Sequence, residues 1–164
     1  KTILPNLKAL ESQRLHTAPV LRFFQGIKGI KTLAKELFDG DDEVYRVIYP
    51  REKLYDLFDK DFLLKLKKDR LRKDIPARSI CITNETNLKA EKSKRIILTP
   101  EELDISCDIG IFGDHLRIVS LEDPITGIMI NDPHIVETFK TIFDLLYKKL
   151  EEKKKREKEE EKNK

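Results

Sequence analysis

The chain has 164 residues, and its formal net charge of +3 comes from 33 Lys and Arg against 30 Asp and Glu. All of that excess lies in Lys148–Lys164, which hold 9 basic and 6 acidic side chains, so residues 1–147 hold 24 of each. A neutral body argues against a broadly basic nucleic-acid-binding protein, although local basic patches remain compatible with it.

The composition excludes several other classes of protein. The length fits one domain of about 150 foldable residues. No apolar run approaches the roughly 20 residues of a membrane helix, and no secretory signal pattern is present, so we expect a cytoplasmic protein without membrane contact. Cys81 and Cys107 supply neither a disulfide framework nor a zinc set, so we expect no metal and no cofactor. The chain opens at Lys1 in the middle of a pattern, and we expect N-terminal sequence to be missing.

The first half of the chain mixes helical and strand patterns. A weak apolar stripe predicts a leader helix over residues 3–15. A strand over 19–24 and a helix over 27–38 follow it. Residues 43–49 alternate and predict a second strand, and residues 51–73 predict a helix in two pieces that breaks near residues 59–61.

The second half is rich in strands and closes on a helix. Residues 77–83 and 95–98 predict two strands, and a meander of three more is predicted at 108–112, 115–121 and 125–130. Asp132-Pro133 is a typical helix start. These elements predict an α/β fold with a mixed sheet packed by helices and a long C-terminal helix.

The last helix carries two apolar stripes. One holds Val136, Phe143, Tyr147 and Leu150, and the other holds Ile135, Phe139, Ile142 and Leu146. Two stripes predict burial on two sides, against the sheet and against a second subunit. We therefore predict a homodimer whose contacts involve residues 3–10 and 135–150. The charged tail over 151–164 is predicted to be a solvated helical extension or disorder.

Gly26 and Gly29 lie at a strand-to-helix junction in the segment GIKGI. A helix N-terminus there is a candidate anion or effector site. The alternative is a tight turn with close helix packing, which we favour because the full G-x-G-x-x-G and P-loop patterns are absent.

His115, Arg117 and Glu122 form the pattern H-x-R-x-x-x-x-E on the second meander strand. The pattern resembles the phospholipase D signature H-x-K-x-x-x-x-D, in which the His is nucleophile or general acid and the Lys holds phosphate. Arg117 and Glu122 depart from that signature, and one set alone would need a homodimer to form a site. We favour the structural interpretation, in which His115 belongs to a hairpin and Arg117 is an exposed strand residue. His115 and Arg117 remain effector or anion-binding candidates.

Several segments together resemble a known family. They are Phe23-Phe24-Gln25-Gly26, Gly29-Ile30, Val119-Ser120-Leu121-Glu122 and the stretch from Ile128 to Phe143. Their order and spacing over residues 3–150 closely resemble the C-terminal, phospholipase-D-like domain of TrmB-like transcriptional regulators of archaea and bacteria.

The resemblance implies a phospholipase-D-like effector domain over residues 16–150, preceded by a linker or dimerisation helix over 1–15. It further implies a non-catalytic, dimerising regulator that senses a small-molecule effector. DNA would be bound through a winged helix-turn-helix that precedes Lys1. Two alternatives stay open: a dimeric phosphodiesterase that uses His115, Arg117 and Glu122, and an interaction scaffold that uses the helical tail.

Overall fold

A computed structural model describes residues 19–89 and 92–162 of the chain. The predicted leader helix over 3–15 lies outside these residues. The described part is built on one seven-stranded mixed sheet, so the α/β prediction is confirmed. Within the described ranges, no helix combines the length and apolarity needed to cross a membrane.

The sheet has the strand order β1-β7-β6-β5-β2-β3-β4. Strands β2, β3 and β4 are parallel, and every other neighbouring pair is antiparallel. The predicted meander forms β5, β6 and β7. The strands are β1 Val20–Gln25, β2 Tyr45–Pro50, β3 Ala77–Ile82, β4 Ser93–Leu98, β5 Cys107–Phe112, β6 His115–Ser120 and β7 Thr126–Asn131.

The helices lie where the apolar periodicity predicts them, with one difference. The helix predicted over 27–38 is shorter and tightens into a 3-10 turn at Ala34–Glu36, which is a common way to end a helix. The chain continues as a turn through Leu37 and Phe38, and both side chains are buried. The α-helices are α1 Gly26–Leu33, α2 Arg51–Leu57, α3 Lys60–Arg72 and α4 Pro133–Lys162.

The predicted break near residues 59–61 is confirmed and has a local cause. Asp59 is the N-cap of α3, and its carboxylate accepts a hydrogen bond of 2.8 Å from the Phe62 amide. Asp132 caps α4 in the same way, accepting from the Ile135 amide at 2.8 Å. At the starts of both α3 and α4, an aspartate thus satisfies one of the free first-turn amides.

Helix α4 covers one face of the sheet and continues to Lys162, so the tail is a helical extension. One predicted stripe, with Val136, Phe143 and Tyr147, is buried against strand residues that include Ile80 and Leu116. The other stripe is largely uncovered, since Ile142 is 55% exposed. The sheet contact predicted for α4 is thus confirmed.

The opposite face of the sheet is covered by α1, the 3-10 turn, α2 and α3. Two apolar clusters form there, one around Phe38, Tyr45 and Phe112 and one around Ile30, Phe58 and Val119. The candidate site lies on this face.

Candidate functional site

A row of side chains runs across the sheet on the face that α1, α2 and α3 cover. Strand register places Arg22 beside Met129, Met129 beside Arg117, and Arg117 beside Gly110. The row continues through three further residues, Val47, Ser79 and Arg95. Because paired residues of neighbouring strands point to the same side of a sheet, this row places polar side chains on the core face from four strands.

Arg117 is buried in the middle of this row, with 5% of its surface exposed. Its Nη2 donates to Asp108 Oδ2 at 2.9 Å and to the Tyr45 hydroxyl at 2.9 Å. Asp108 itself is 5% exposed and lies two residues before Gly110 on β5, on the same face. The missing side chain of Gly110 leaves room for the guanidinium, because a Cβ there would lie 2.9 Å from Nη2.

Burial dominates the electrostatics of this trio. It raises the pKa of the Asp108 carboxyl, and the Arg117 cation opposes that rise. Burial also raises the pKa of Tyr45 to about 12, so the hydroxyl stays protonated near neutral pH. A buried ion pair is stable only when its remaining hydrogen-bonding groups are satisfied. Here Asp108 Oδ1 and Arg117 Nε have no hydrogen-bond partner among the described residues.

A cavity of about 200 Å³ lies between this row and the helices. The aromatic wall of the cavity includes Phe38, Phe58 and Phe62, and its sheet side includes Ser79 and Arg95. Ser79 Oγ and Arg95 Nε are also buried and lack a hydrogen-bond partner in the described part of the chain. Apolar walls with a few convergent polar groups are typical of small-molecule sites.

The structure separates the residues of the H-x-R-x-x-x-x-E pattern. Alternation along β6 puts His115 and Arg117 on the same face, and His115 is half-buried with Nδ1 2.5 Å from Asp114 Oδ1. Glu122 lies beyond the other end of β6, roughly 17 Å along the strand. There it accepts from Ser106 at 2.5 Å and from Lys53 at 3.0 Å.

The prediction that Arg117 is an exposed strand residue is wrong. Alternation alone predicts the side of the sheet but cannot tell which side is covered, and the α1–α3 layer covers this one. The buried partner Asp108 compensates the charge that burial would otherwise make too costly.

Gly26 and Gly29 lie in α1, away from His115. The Gly26 amide donates to the Ile125 carbonyl at 2.8 Å, and Gly26 has φ +66°, a left-handed conformation that favours glycine. A Cβ on Gly29 would lie 3.4 Å from the backbone of Phe24. These contacts fit the turn and packing interpretation, and the structure does not bring the two glycines together with His115.

Sequence reasoning missed Asp108, Tyr45, Ser79 and Arg95. Asp108 and Arg95 were charged residues at inward positions of apolar strands, which is a signal for a buried polar site. Ser79 and Tyr45 carried no such signal. Among the residues the structure describes, no group of three or more His, Cys, Asp or Glu side chains could hold a metal ion.

Comparison with known proteins identifies the fold. No family model matches the chain, and no curated protein matches it. The solved structures that it resembles include NucT from Helicobacter pylori, at 13% identity and a TM-score of 0.57, over 82% of this chain and 97% of NucT. They also include the archaeal chromatin protein TrmBL2, at 17% identity and a TM-score of 0.54. That alignment covers 88% of this chain and 59% of TrmBL2, so the chain spans less than two thirds of the TrmBL2 structure. The predicted phospholipase-D-like fold is confirmed.

Proposed function

We propose that this chain is the effector-sensing and dimerising domain of a TrmB-like transcriptional regulator and has no catalytic activity. The observation that carries the proposal is the cavity between the sheet and α1–α3, which has aromatic walls and several buried polar atoms that have no hydrogen-bond partner among the described residues. A sensing domain needs such an internal site, and a ligand there would contact both the sheet and the helical layer. The similarity to TrmBL2 agrees with this class of protein.

The position of Arg117 argues against phosphodiester hydrolysis. Its guanidinium is buried and engaged by Asp108 and Tyr45 of the same chain. Binding of a substrate phosphate by Arg117 would have to break these hydrogen bonds. It would also desolvate a second anion beside Asp108. Arg117 therefore acts as a buried structural and ligand-facing group in this proposal.

The surface supports the homodimer part of the proposal. Helix α4 exposes Ile142 and Leu145, and the edge strand β1 exposes Leu21 and Phe23. Register pairs Phe23 with Ile128 and Leu21 with Ile130, and Ile130 packs in the cluster beneath α4. The exposed apolar residues of β1 thus lie on the sheet face that α4 occupies, and a second copy is the proposed partner.

DNA binding is assigned to a separate winged helix-turn-helix domain of the proposed regulator. The charge balance supports this assignment, because residues 1–147 are neutral. TrmBL2 is a chromatin protein that binds DNA, and 41% of its structure lies outside the alignment, since 59% is covered. We expect the 164-residue chain alone to bind duplex DNA weakly. Strong, steeply salt-dependent binding would contradict the assignment.

Light scattering tests the dimer. We expect a dimer mass at tens of micromolar, and a monomer mass there would contradict the proposal. The variant Ile142→Glu should reduce the mass to that of a monomer, because it places a charge in the apolar contact. Thr141→Glu adds the same charge to the neighbouring, polar side of α4 and should leave the dimer intact.

Hydrolysis of bis(p-nitrophenyl) phosphate tests the alternative, a dimeric phosphodiesterase. The specific observation in its favour is that His115 and Arg117 share one face of β6, in a fold similar to that of NucT. The regulator proposal predicts no turnover above buffer. Sustained turnover that disappears in His115→Ala would establish the phosphodiesterase and overturn the regulator.

A further inference from the structure

We propose that the cavity binds a small organic anion with an apolar ring, and that the acidic group of this ligand is held by Ser79 and Arg95. The inference rests on the proposed function, because the anion would be the effector of the domain. It assigns the class of ligand and the end of the cavity at which its charge lies.

The polar end is formed by two strands in register. Ser79 on β3 is paired with Arg95 on β4, so the two side chains leave the same face about 4.8 Å apart. Ser79 is 3% exposed, and its hydroxyl has no partner among the described residues. Arg95 uses Nη1 to reach the Lys89 carbonyl at 3.2 Å and leaves its buried Nε without a described partner. The pair offers two adjacent hydrogen-bond donors, the Ser79 hydroxyl and the Arg95 Nε, and neither side chain carries a negative charge.

Charge in the lining favours an anion. The described residues that line the cavity include the cations Arg95 and Arg117, and the one carboxylate among them is Asp108. Asp108 is already paired with Arg117. An anion beside Arg95 therefore meets a cation that has no ion-pair partner among the described residues, and charge-assisted hydrogen bonds are the strongest that such a site can offer.

Two neighbours of Arg95 in the described part of the chain carry no charge. Tyr49 and Cys81 are paired across β2 and β3, next to Ser79. Burial raises the pKa of the Tyr49 hydroxyl and of the Cys81 thiol, so both are neutral near pH 7. No described residue forms an ion pair with Arg95, and the proposal assigns the counter-charge at this end to a ligand.

The part of the cavity beyond Ser79 and Arg95 limits the size of the ligand. Its volume of about 200 Å³ is below the roughly 300–1,000 Å³ of sites for drug-sized molecules, so a single ring suits it. Val47 separates Ser79 from Gly110 in the row, which puts the Arg117 end about 10 Å from Ser79. There, Arg117 Nε is a donor and Asp108 Oδ1 an acceptor, and a ligand hydroxyl can satisfy both.

Calorimetric titration of the 164-residue chain with four probes tests the inference. Benzoate supplies the acid alone, and 4-hydroxybenzoate adds the distal hydroxyl. Benzamide is the neutral match, and phenyl phosphate separates phosphate from carboxylate recognition. We expect the anionic probes to bind, either the two carboxylates or phenyl phosphate, and we expect benzamide not to bind. Of the two carboxylates, 4-hydroxybenzoate should bind more tightly than benzoate. Binding of benzamide as tight as benzoate, or binding of no anion at millimolar concentration, would overturn the inference.

Two variants on β4 locate the acidic group. Arg95→Gln should weaken anion binding about tenfold or more, the loss expected for a charge-assisted hydrogen bond. Lys94→Gln removes the same charge from the opposite face of the strand and should change affinity by less than about twofold. Circular dichroism confirms that both variants fold. Equal effects of the two variants would overturn the assignment to Arg95.

The two proposals fail separately. An inactive dimer that binds none of the anions overturns the ligand class and leaves the regulator standing. Turnover of bis(p-nitrophenyl) phosphate that depends on His115 overturns the regulator, whatever the anion titration shows.

Discussion

Arg117 occupies the space that a side chain at Gly110 would fill. A Cβ on Gly110 would lie 2.9 Å from Nη2 and 3.2 Å from Nε of Arg117, and 2.8 Å from the Tyr45 hydroxyl. The two residues are directly paired across β5 and β6. A strand glycine that permits close approach of a neighbouring group is a recurrent device, and here the group is a buried guanidinium. The relationship makes Gly110 as necessary to the site as Arg117.

Gly110→Ala is expected to destabilise the protein by about 1–3 kcal/mol, because the new methyl group displaces the guanidinium from Tyr45 and Asp108. Urea unfolding measures the change. Gly29→Ala is the matched control, since its Cβ would meet Phe24 at 3.4 Å and alanine favours a helix. We expect the control to stay within about 1 kcal/mol of the parent chain. An equal loss in both variants would show that Gly110 has no special role.

Arg117→Met is expected to cost about 3–5 kcal/mol, because it leaves the buried Asp108 carboxylate without its cation. The double variant Arg117→Met with Asp108→Leu removes both charges and should recover most of that stability. Urea unfolding of the two single variants and the double variant gives the coupling free energy. Additive losses would mean that the ion pair does not hold Asp108 in place.

The extension of α4 is held by Glu102, which accepts from Lys153 at 3.0 Å and from Lys154 at 3.2 Å. The Thr99 amide, followed by Lys153, lowers the pKa of Glu102 from 4.5 to about 2. Because the folded-state pKa is depressed, the stabilisation is full above the unfolded value of 4.5 and is lost as the pH falls toward about 2. We expect Glu102→Gln to lower the free energy of unfolding by about 1 kcal/mol at pH 7.

The difference between parent and Glu102→Gln should shrink progressively from pH 4.5 to pH 2, measured by urea unfolding at each pH. Glu101→Gln changes the exposed neighbour and is the control, with an expected change near zero. A constant difference across that range would contradict the role assigned to the Glu102 carboxylate.

Helix α4 is also fixed to the sheet by Asp144, which accepts from Arg46 at 3.1 and 3.2 Å and from Arg78 at 3.3 Å. Asp144→Asn should cost about 1 kcal/mol, because it weakens a bidentate contact that is partly exposed. Glu137→Gln removes an exposed carboxylate whose ion pair in the described part of the chain is with Lys140 of the same helix, and it should cost less than about 0.5 kcal/mol. Thermal unfolding compares the two. A larger loss for Glu137→Gln would contradict the assignment.

Most of the secondary structure was accessible to sequence reasoning because its determinants are local. Turn residues between β-rich segments marked the meander, Asp132-Pro133 marked the start of α4, and two apolar stripes predicted that α4 is buried on more than one side. The early end of α1 was not predicted. It depends on Leu37 and Phe38 packing under the sheet, which is a contact between distant parts of the chain.

The sequence by itself determined that His115 and Arg117 share a face of one strand, because side chains alternate with a period of two. It also determined that the net charge lies outside residues 1–147. Only the tertiary structure decided that this face is covered and that Arg117 meets Tyr45, 72 residues away in sequence. The cavity arises for the same reason: its walls come from strands and helices that are brought together only when both sides of the sheet are packed. The covered side of β6 and the partner of Arg117 are set by the assembled layers, because these contacts join residues that are far apart in the chain.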